Sequence, residues 1–381
     1  MTEQVSARLG LWGWLNMADN RLLPERAGYG YIPGLDGLRA IAVLIVIVAH
    51  FGLDHIVPGG FGVTVFFFIS GFLITRLLIA EGEAKSKVQL GKFYLRRFAR
   101  LYPALLFMVF GSTAYFMAMG YGGPSVTELL AAIFYFTNIF QVSAVASGGE
   151  MPFMSWTHLW SLAVEEHFYL LFPLVVISCG ALINRLRLSV IAVLVIVPLW
   201  RLFTFSALDV PVADYNYMMT DARIDSIAWG CLLTIMLHEA ERISKFRWLI
   251  GITPIVLALV ALLATFVVRD EAFRHVLRYS VQGASLFVLI LNFYYLSALR
   301  FSVRVLELQP FVWLGRVSYG LYLWHFPVID ASRRMFGEGL LSITVAIIAT
   351  LAITAFSFYI VEQPFNRLRK RLGSHIPARP A

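Results

Sequence analysis

The stretch Arg39-Ala-Ile-Ala-Val-Leu-Ile-Val-Ile-Val-Ala-His50 decides the fold, because two ionisable side chains bracket an unbroken apolar run. An imidazole in lipid-like sequence is costly and marks a functional position by default. The separation of Arg39 and His50 corresponds to a helical rise of about 16 Å, half of a hydrocarbon core of about 30 Å. With Arg39 at one membrane face, His50 stands near the middle of the bilayer or just beyond it. The plainer alternative is a snorkelling arginine followed by a buried histidine bonded to a neighbouring helix.

The rest of the chain has the same character. Of 381 residues, 59% are hydrophobic and 14% charged, with mean hydropathy +0.75. Soluble domains carry about 25% charged residues, so an all-α, polytopic membrane helix bundle is expected. Cys179 and Cys231 both lie in apolar segments, which points to neither a disulfide framework nor a metal site. The net charge of +8 is not a nucleic-acid footprint, since its basic residues cluster in short loops as membrane topology requires. Residues 1–30 lack a long apolar core and contain Asp19 and Glu25, so they read as a cytoplasmic lead and not a cleavable signal peptide. Trp12 and Trp14 are placed to rest at an interface within that lead.

Apolar segments of spanning potential lie near 38–53, 61–80, 101–120, 158–178, 187–206, 222–238, 248–268, 278–297, 311–330 and 339–360. An eleventh, near 127–143, contains Glu128, Thr137, Asn138 and Gln141. If it does not cross, basic residues collect on one side: Arg8, Arg21 and Arg26; Lys85 through Arg100; Arg185 and Arg187; Arg242, Lys245 and Arg247; Arg300 and Arg304; Arg367 through Arg371. The opposite loops 54–60, 121–157 and 206–221 hold no Lys or Arg. The positive-inside rule then predicts about ten crossings, both termini cytoplasmic, and a re-entrant or interfacial helix over 127–143. On this reading the transmembrane domain covers 31–365 and a basic cytoplasmic tail covers 366–381.

Several stretches carry chemistry. In Lys92-Phe-Tyr-Leu-Arg-Arg-Phe-Ala-Arg-Leu-Tyr-Pro103, Arg97 and Arg100 share one helix face. Paired guanidinium groups suit phosphate oxygens, though most of these cations also satisfy the positive-inside bias. Arg223 and Asp225 are two apart and point to different faces, so each needs a partner on another helix.

The ordered set of motifs resembles the acyltransferase-3 family of integral membrane O-acyltransferases. The set is Arg39-x10-His50, Gly62-Val-Thr-Val-Phe-Phe-Phe-Ile-Ser-Gly-Phe-Leu-Ile74, Arg97-x-x-Arg100, His158-Leu-Trp-Ser-Leu-Ala-Val-Glu-Glu-His-Phe-Tyr-Leu170, Arg223-Ile-Asp225, Ser318-Tyr-Gly-Leu-Tyr-Leu-Trp-His-Phe-Pro327 and Val361-Glu-Gln-Pro364. Any one is weak, but the ordered series over roughly 31–371 is specific. The resemblance implies transfer of an acyl group, usually acetyl, from cytoplasmic acyl-CoA to a hydroxyl of a carbohydrate, glycolipid, polysaccharide or macrolide. It implies His50 as the catalytic histidine, Arg39 as its motif partner on the donor side, and Arg97 and Arg100 as donor contacts, in a bacterial inner membrane.

Two departures stand out. Thr64 occupies a place where many members carry Asp or another polar residue, and no fused extracytoplasmic hydrolase-like domain is expected. With the topology above, Glu165 and Glu166 open the fourth span from the side on which His50 ends, and His325 closes the ninth there. Glu165 is therefore expected to orient His50 or hold the acceptor hydroxyl. Ser70, Ser161 or an amide near Gly71 are candidates for the oxyanion. Trp156, Trp160, Tyr215, Tyr217 and Trp324 suit a sugar or a flat macrocycle. An acyl-histidine relay is the mechanistic rival. A secondary transporter or flippase with a proton-linked histidine is the rival of a different class, weakened by the missing inverted repeat; a sensory or scaffold membrane protein is a third.

Overall fold

Proline and glycine punctuation breaks this apolar chain into helices of very different lengths. The computed structural model describes residues 31–85, 88–148, 154–180, 182–238, 244–296 and 299–371. The lead with Trp12, Trp14, Arg8, Arg21 and Arg26, together with Arg242, lies outside the described residues. The α-helices are α1 (Leu35–Val48), α2 (Gly59–Lys85), α3 (Leu90–Ala118), α4 (Val126–Ile133), α5 (Thr137–Ala146), α6 (Trp160–Cys179), α7 (Ile183–Ala207) and α8 (Val212–Met218). They continue as α9 (Thr220–His238), α10 (Ile252–Val267), α11 (Arg278–Tyr295), α12 (Arg300–Leu306), α13 (Gln309–Phe336), α14 (Leu340–Phe356) and α15 (Gln363–Arg371).

All ten expected segments are helical, but length and apolarity support seven crossings among the described residues. The other three fall short for different reasons. Helix α9 carries Asp221, Arg223 and Asp225, α13 interleaves its apolar residues with Arg316, His325, Pro327 and several Trp, Tyr and Ser, and α10 has only 16 residues. The 127–143 segment is two short helices broken at Tyr135, whose φ is 59°. Helices of 8 and 10 residues reach only about 12 and 15 Å, so neither crosses a bilayer alone. Its polar residues explain the break: Glu128 closes a capping box with Ser125, Asn138 donates to Thr220 Oγ1, and Gln141 donates to the Thr157 carbonyl.

Two close crossings set the frame. Gly71 on α2 faces the backbone carbonyl of Ile227 on α9, and Gly230 on α9 faces that of Phe68 on α2. Gly315 on α13 meets the Asp36 carbonyl of α1 in the same way. A side chain at any of these positions would overlap backbone, and small residues at such crossings are how membrane helices approach closely. Gly230→Val therefore lowers thermal stability in detergent by the equivalent of about 1–3 kcal/mol or more. Gly82→Ala, which meets nothing, leaves the melting temperature within a degree or two.

Candidate functional site

Helix α1 does not end cleanly. Residues Ala49–Leu53 continue it as a π-helical turn, with Gly52 at φ 94°, and His50 sits in that turn. π-bulges are frequent at functional sites because they re-aim one side chain. Arg333 of α13 donates to the His50 carbonyl at 3.1 Å, satisfying a carbonyl that the helix end leaves open.

The imidazole of His50 meets His325 of α13: His50 Nδ1 and His325 Nε2 are 2.9 Å apart. The other nitrogen of His325, Nδ1, lies 2.7 Å from the Tyr322 carbonyl and 3.1 Å from that of Leu321. Carbonyls only accept, so His325 Nδ1 carries the proton and, in the neutral ring, Nε2 accepts. His50 Nδ1 must then donate. That leaves His50 Nε2 as an unprotonated nitrogen with no partner among the described residues, on a side chain that lines a cavity of about 560 Å3. This is the arrangement of an oriented base, with the orienting role filled by a second histidine and two helix carbonyls.

A proline supplies the next layer. Pro327 has no N–H, so the Leu323 carbonyl, four residues earlier on α13, loses its helical donor. His158, in the short turn of helix that leads into α6, donates its Nε2–H to that carbonyl at 3.2 Å. The ring of Phe326 stacks on His158 at 5.4 Å and stands edge-on to His50 at 4.9 Å. The histidine pair is thus braced by the Trp-His-Phe-Pro stretch itself.

The arginines gather elsewhere. Arg39, Arg97, Arg100, Ser70, Glu165 and Ser318 line a narrow cleft of about 90 Å3. Arg39 donates to Ser318 Oγ at 3.0 Å, Arg97 lies over the Tyr169 ring at 4.3 Å, and Glu165 accepts from Ser70 at 2.8 Å. Among the described residues none of these three guanidinium groups forms an ion pair. Three cations and one carboxylate in a confined cleft make a site for a polyanion.

Glu165 lines this arginine cleft and not the cavity of His50. The expectation that it orients His50 is corrected: that contact is made by His325. The reason is helical rotation. Ser161, Leu162, Glu165 and Tyr169 share one face of α6 and line the arginine cleft, whereas Trp160 turns to the histidine cavity. Val63 and Tyr322 line both spaces. The Tyr322 hydroxyl bonds to Ser161 Oγ at 2.6 Å and to the His158 carbonyl at 2.8 Å. Val63 and Tyr322 therefore border the arginines on one side and the histidines on the other. Of the oxyanion candidates, Ser70 and Ser161 are engaged as described, and Gly71 lies at the α2–α9 crossing.

Arg223 and Asp225 do find partners on other helices. Asp225 pairs with Arg201 of α7 at 2.7 Å, both fully buried, and Ser280 of α11 joins them. Arg223 donates to Thr64 Oγ1 at 3.1 Å and to the Tyr217 carbonyl at 3.1 Å, with the Tyr279 ring 3.9 Å from its guanidinium carbon. Trp160 and Tyr217 line the histidine cavity; Trp324 lines a separate apolar groove; Trp156 donates to Ser112; Tyr215 bonds to Asp221; His167 bonds to Thr220.

The protein is thus a polytopic helical protein with an arginine-lined cleft beside a histidine-lined cavity. The sequence model of the acyltransferase-3 family, described as an acyltransferase domain, matches residues 32–362. The chain belongs to that family. It is 32% identical over 382 aligned residues to O-acetyltransferase OatA of Staphylococcus aureus strain NCTC 8325, covering 95% of this chain and 62% of the relative. It is 30% identical over 358 residues to a putative O-acetyltransferase of S. aureus strain COL, covering 88% of this chain and 58% of that relative. The chain thus spans about three fifths of the length of the curated relatives it matches. No solved structure matches this chain.

Proposed function

We propose that the protein is an O-acetyltransferase of the bacterial inner membrane, taking acetyl from cytoplasmic acetyl-CoA to a carbohydrate hydroxyl on the far side. Ten helices cross, both termini are cytoplasmic, the arginine cleft faces the cytoplasm and the histidine cavity faces outward. The observation that carries the reading is the pair of adjoining spaces with opposite equipment, which share Val63 and Tyr322 in their linings. Arg39, Arg97 and Arg100 hold the phosphates of CoA, and its flexible arm passes Val63 and Tyr322 towards His50.

His50 Nε2 takes the proton of the acceptor hydroxyl as its oxygen attacks the thioester carbonyl. The C–S bond breaks, the ester forms, and the imidazolium returns its proton to the departing CoA thiolate. His325 holds His50 in the tautomer that makes this possible. Glu165 acts at the donor end, where it offsets part of the arginine charge and fixes Ser70. No step calls on a metal; the donor is acetyl-CoA and the acceptor a glycan, a glycolipid or another hydroxyl-bearing molecule.

Purified protein given radiolabelled acetyl-CoA tests this. Arg97→Ala and Arg100→Ala each raise KM for acetyl-CoA about tenfold, the loss of one charge-assisted hydrogen bond, with a smaller change in kcat. Lysine at either position restores charge but not the planar fork, so rescue is partial. Unchanged acetyl-CoA binding in both alanine variants would overturn the donor assignment.

A further inference from the structure

The histidine cavity has a charge pattern that catalysis at His50 does not use. Arg269, Arg274 and Arg278 line it, from the connection between α10 and α11 and the first residue of α11. In the proposed topology this connection is extracytoplasmic, where the loops 54–60, 121–157 and 206–221 carry no Lys or Arg. Short outer loops disfavour cations because translocating them is unfavourable; the three arginines around this cavity stand against that bias, as do Arg333 and Arg334 in the outer connection after the ninth span.

None of the three forms an ion pair among the described residues. Arg278 donates to the Tyr279 hydroxyl at 2.8 Å, and its buried Nε has no partner. The opposing charges on the cavity wall are Asp54 and Asp214, and the neighbouring connection adds Asp270 and Glu271. The Asp270 carboxylate is engaged locally, accepting from the Phe273 amide at 2.7 Å.

A second observation comes from behind the wall. Arg223 is fully buried, forms no ion pair among the described residues, and its Nε has no partner. Trp160, Tyr217 and Tyr279 surround it and also line the cavity. Its two nearest acidic neighbours in sequence are engaged elsewhere: Asp225 pairs with Arg201, and Asp221 accepts from Trp200 and Tyr215. A buried cation with no ion-pair partner has a large effect in low dielectric, and it lies behind the aromatic side of the cavity.

Resting on the acyl-transfer reading, we infer that the acceptor is an anionic carbohydrate, whose carboxylate or phosphate is held by Arg269, Arg274 and Arg278 while a hydroxyl of the same molecule reaches His50. Guanidinium forks recognise both anions bidentately, and a cavity of about 560 Å3 has room for more than one sugar ring. The aromatic faces of Trp160 and Tyr217 on the same wall provide the apolar contact for the ring.

The test compares alkali-labile acetyl esters on total carbohydrate from a deletion strain and from the same strain carrying the full chain. The ester that returns on complementation resides on a carbohydrate retained by an anion exchanger, and mass spectrometry assigns its charge to a uronate-type carboxylate or to a phosphate. Return of the ester only on neutral carbohydrate overturns the inference and leaves acyl transfer standing. An ester that returns equally with His50→Ala, or no ester at all, overturns the acyl-transfer reading itself. With the recovered acceptor, Arg269→Gln and Arg278→Gln each lower kcat/KM about tenfold, the worth of one charged hydrogen bond, and leave KM for acetyl-CoA unchanged. Two well-expressed, monodisperse variants with unaltered kcat/KM would also overturn it.

Discussion

His50→Ala lowers acetyl transfer by about two to four orders of magnitude, the usual worth of a positioned general base, while acetyl-CoA binding measured on the same preparation stays within a factor of two. The separation follows from geometry, because His50 lines one space and the arginines line another. His325→Ala behaves differently from His50→Ala. It leaves the base in place but frees it to rotate and to hold its proton on either nitrogen, so kcat falls by about ten to a hundredfold. His325→Gln places an amide oxygen near His50 Nδ1 and recovers part of that loss, which a purely structural role for His325 would not give. Single-turnover trapping distinguishes the two histidine mechanisms: label retained on the protein with acetyl-CoA alone, and lost in His50→Ala, would replace general base by an acyl-histidine. A transport role predicts no acetyl-CoA consumption in wild type or variant.

The fold and half of the site could be read from the chain because both rest on short-range constraints. The Arg39–His50 spacing converts directly into a helical rise, and Arg97 and Arg100 share a face by their separation alone. All three arginines do line one cleft. What escaped reading depends on helix rotation and on pairs far apart in sequence. Glu165 and Trp160 belong to adjacent turns of α6, yet they face different spaces, and no periodicity reveals which face meets which neighbour in a helix buried on several sides. The 275-residue separation of His50 and His325 is equally invisible. A signal was nonetheless present in Pro327, which frees the Leu323 carbonyl and so requires a donor from another helix nearby. The arginines at 269, 274 and 278 were also visible as cations in a connection that the positive-inside rule would leave bare. The count of crossings fell between seven and ten because α10 is short and because polar and charged side chains lower the hydropathy of α9 and α13.

Arg201 is a buried charge on a helix that is apolar enough to cross all the same. It interrupts an apolar run on α7, is 0% exposed, and meets a 0% exposed Asp225 on α9. The guanidinium also donates to the Ala222 carbonyl at 3.0 Å and to Ser280 Oγ at 2.5 Å, while Ser280 donates to Asp225 at 2.7 Å. The cluster ties α7, α9 and α11 together. Removing one partner leaves a bare charge in low dielectric, which costs about 3–5 kcal/mol in buried pairs. Asp225→Ala therefore prevents accumulation of folded protein or lowers its melting temperature in detergent by ten degrees or more, and Arg201→Ala, which bares the carboxylate, does the same. Removing both charges together has a different outcome. Arg201→Met with Asp225→Leu replaces the pair by apolar side chains of similar size, and such replacements are often neutral or stabilising. The double variant accordingly recovers most of the lost stability and retains acetyl-CoA consumption, because neither side chain lines the arginine cleft or the histidine cavity. Recovery of stability without recovery of activity would instead place Asp225 or Arg201 in the transfer chemistry, acting through the neighbouring Arg223 behind the cavity wall.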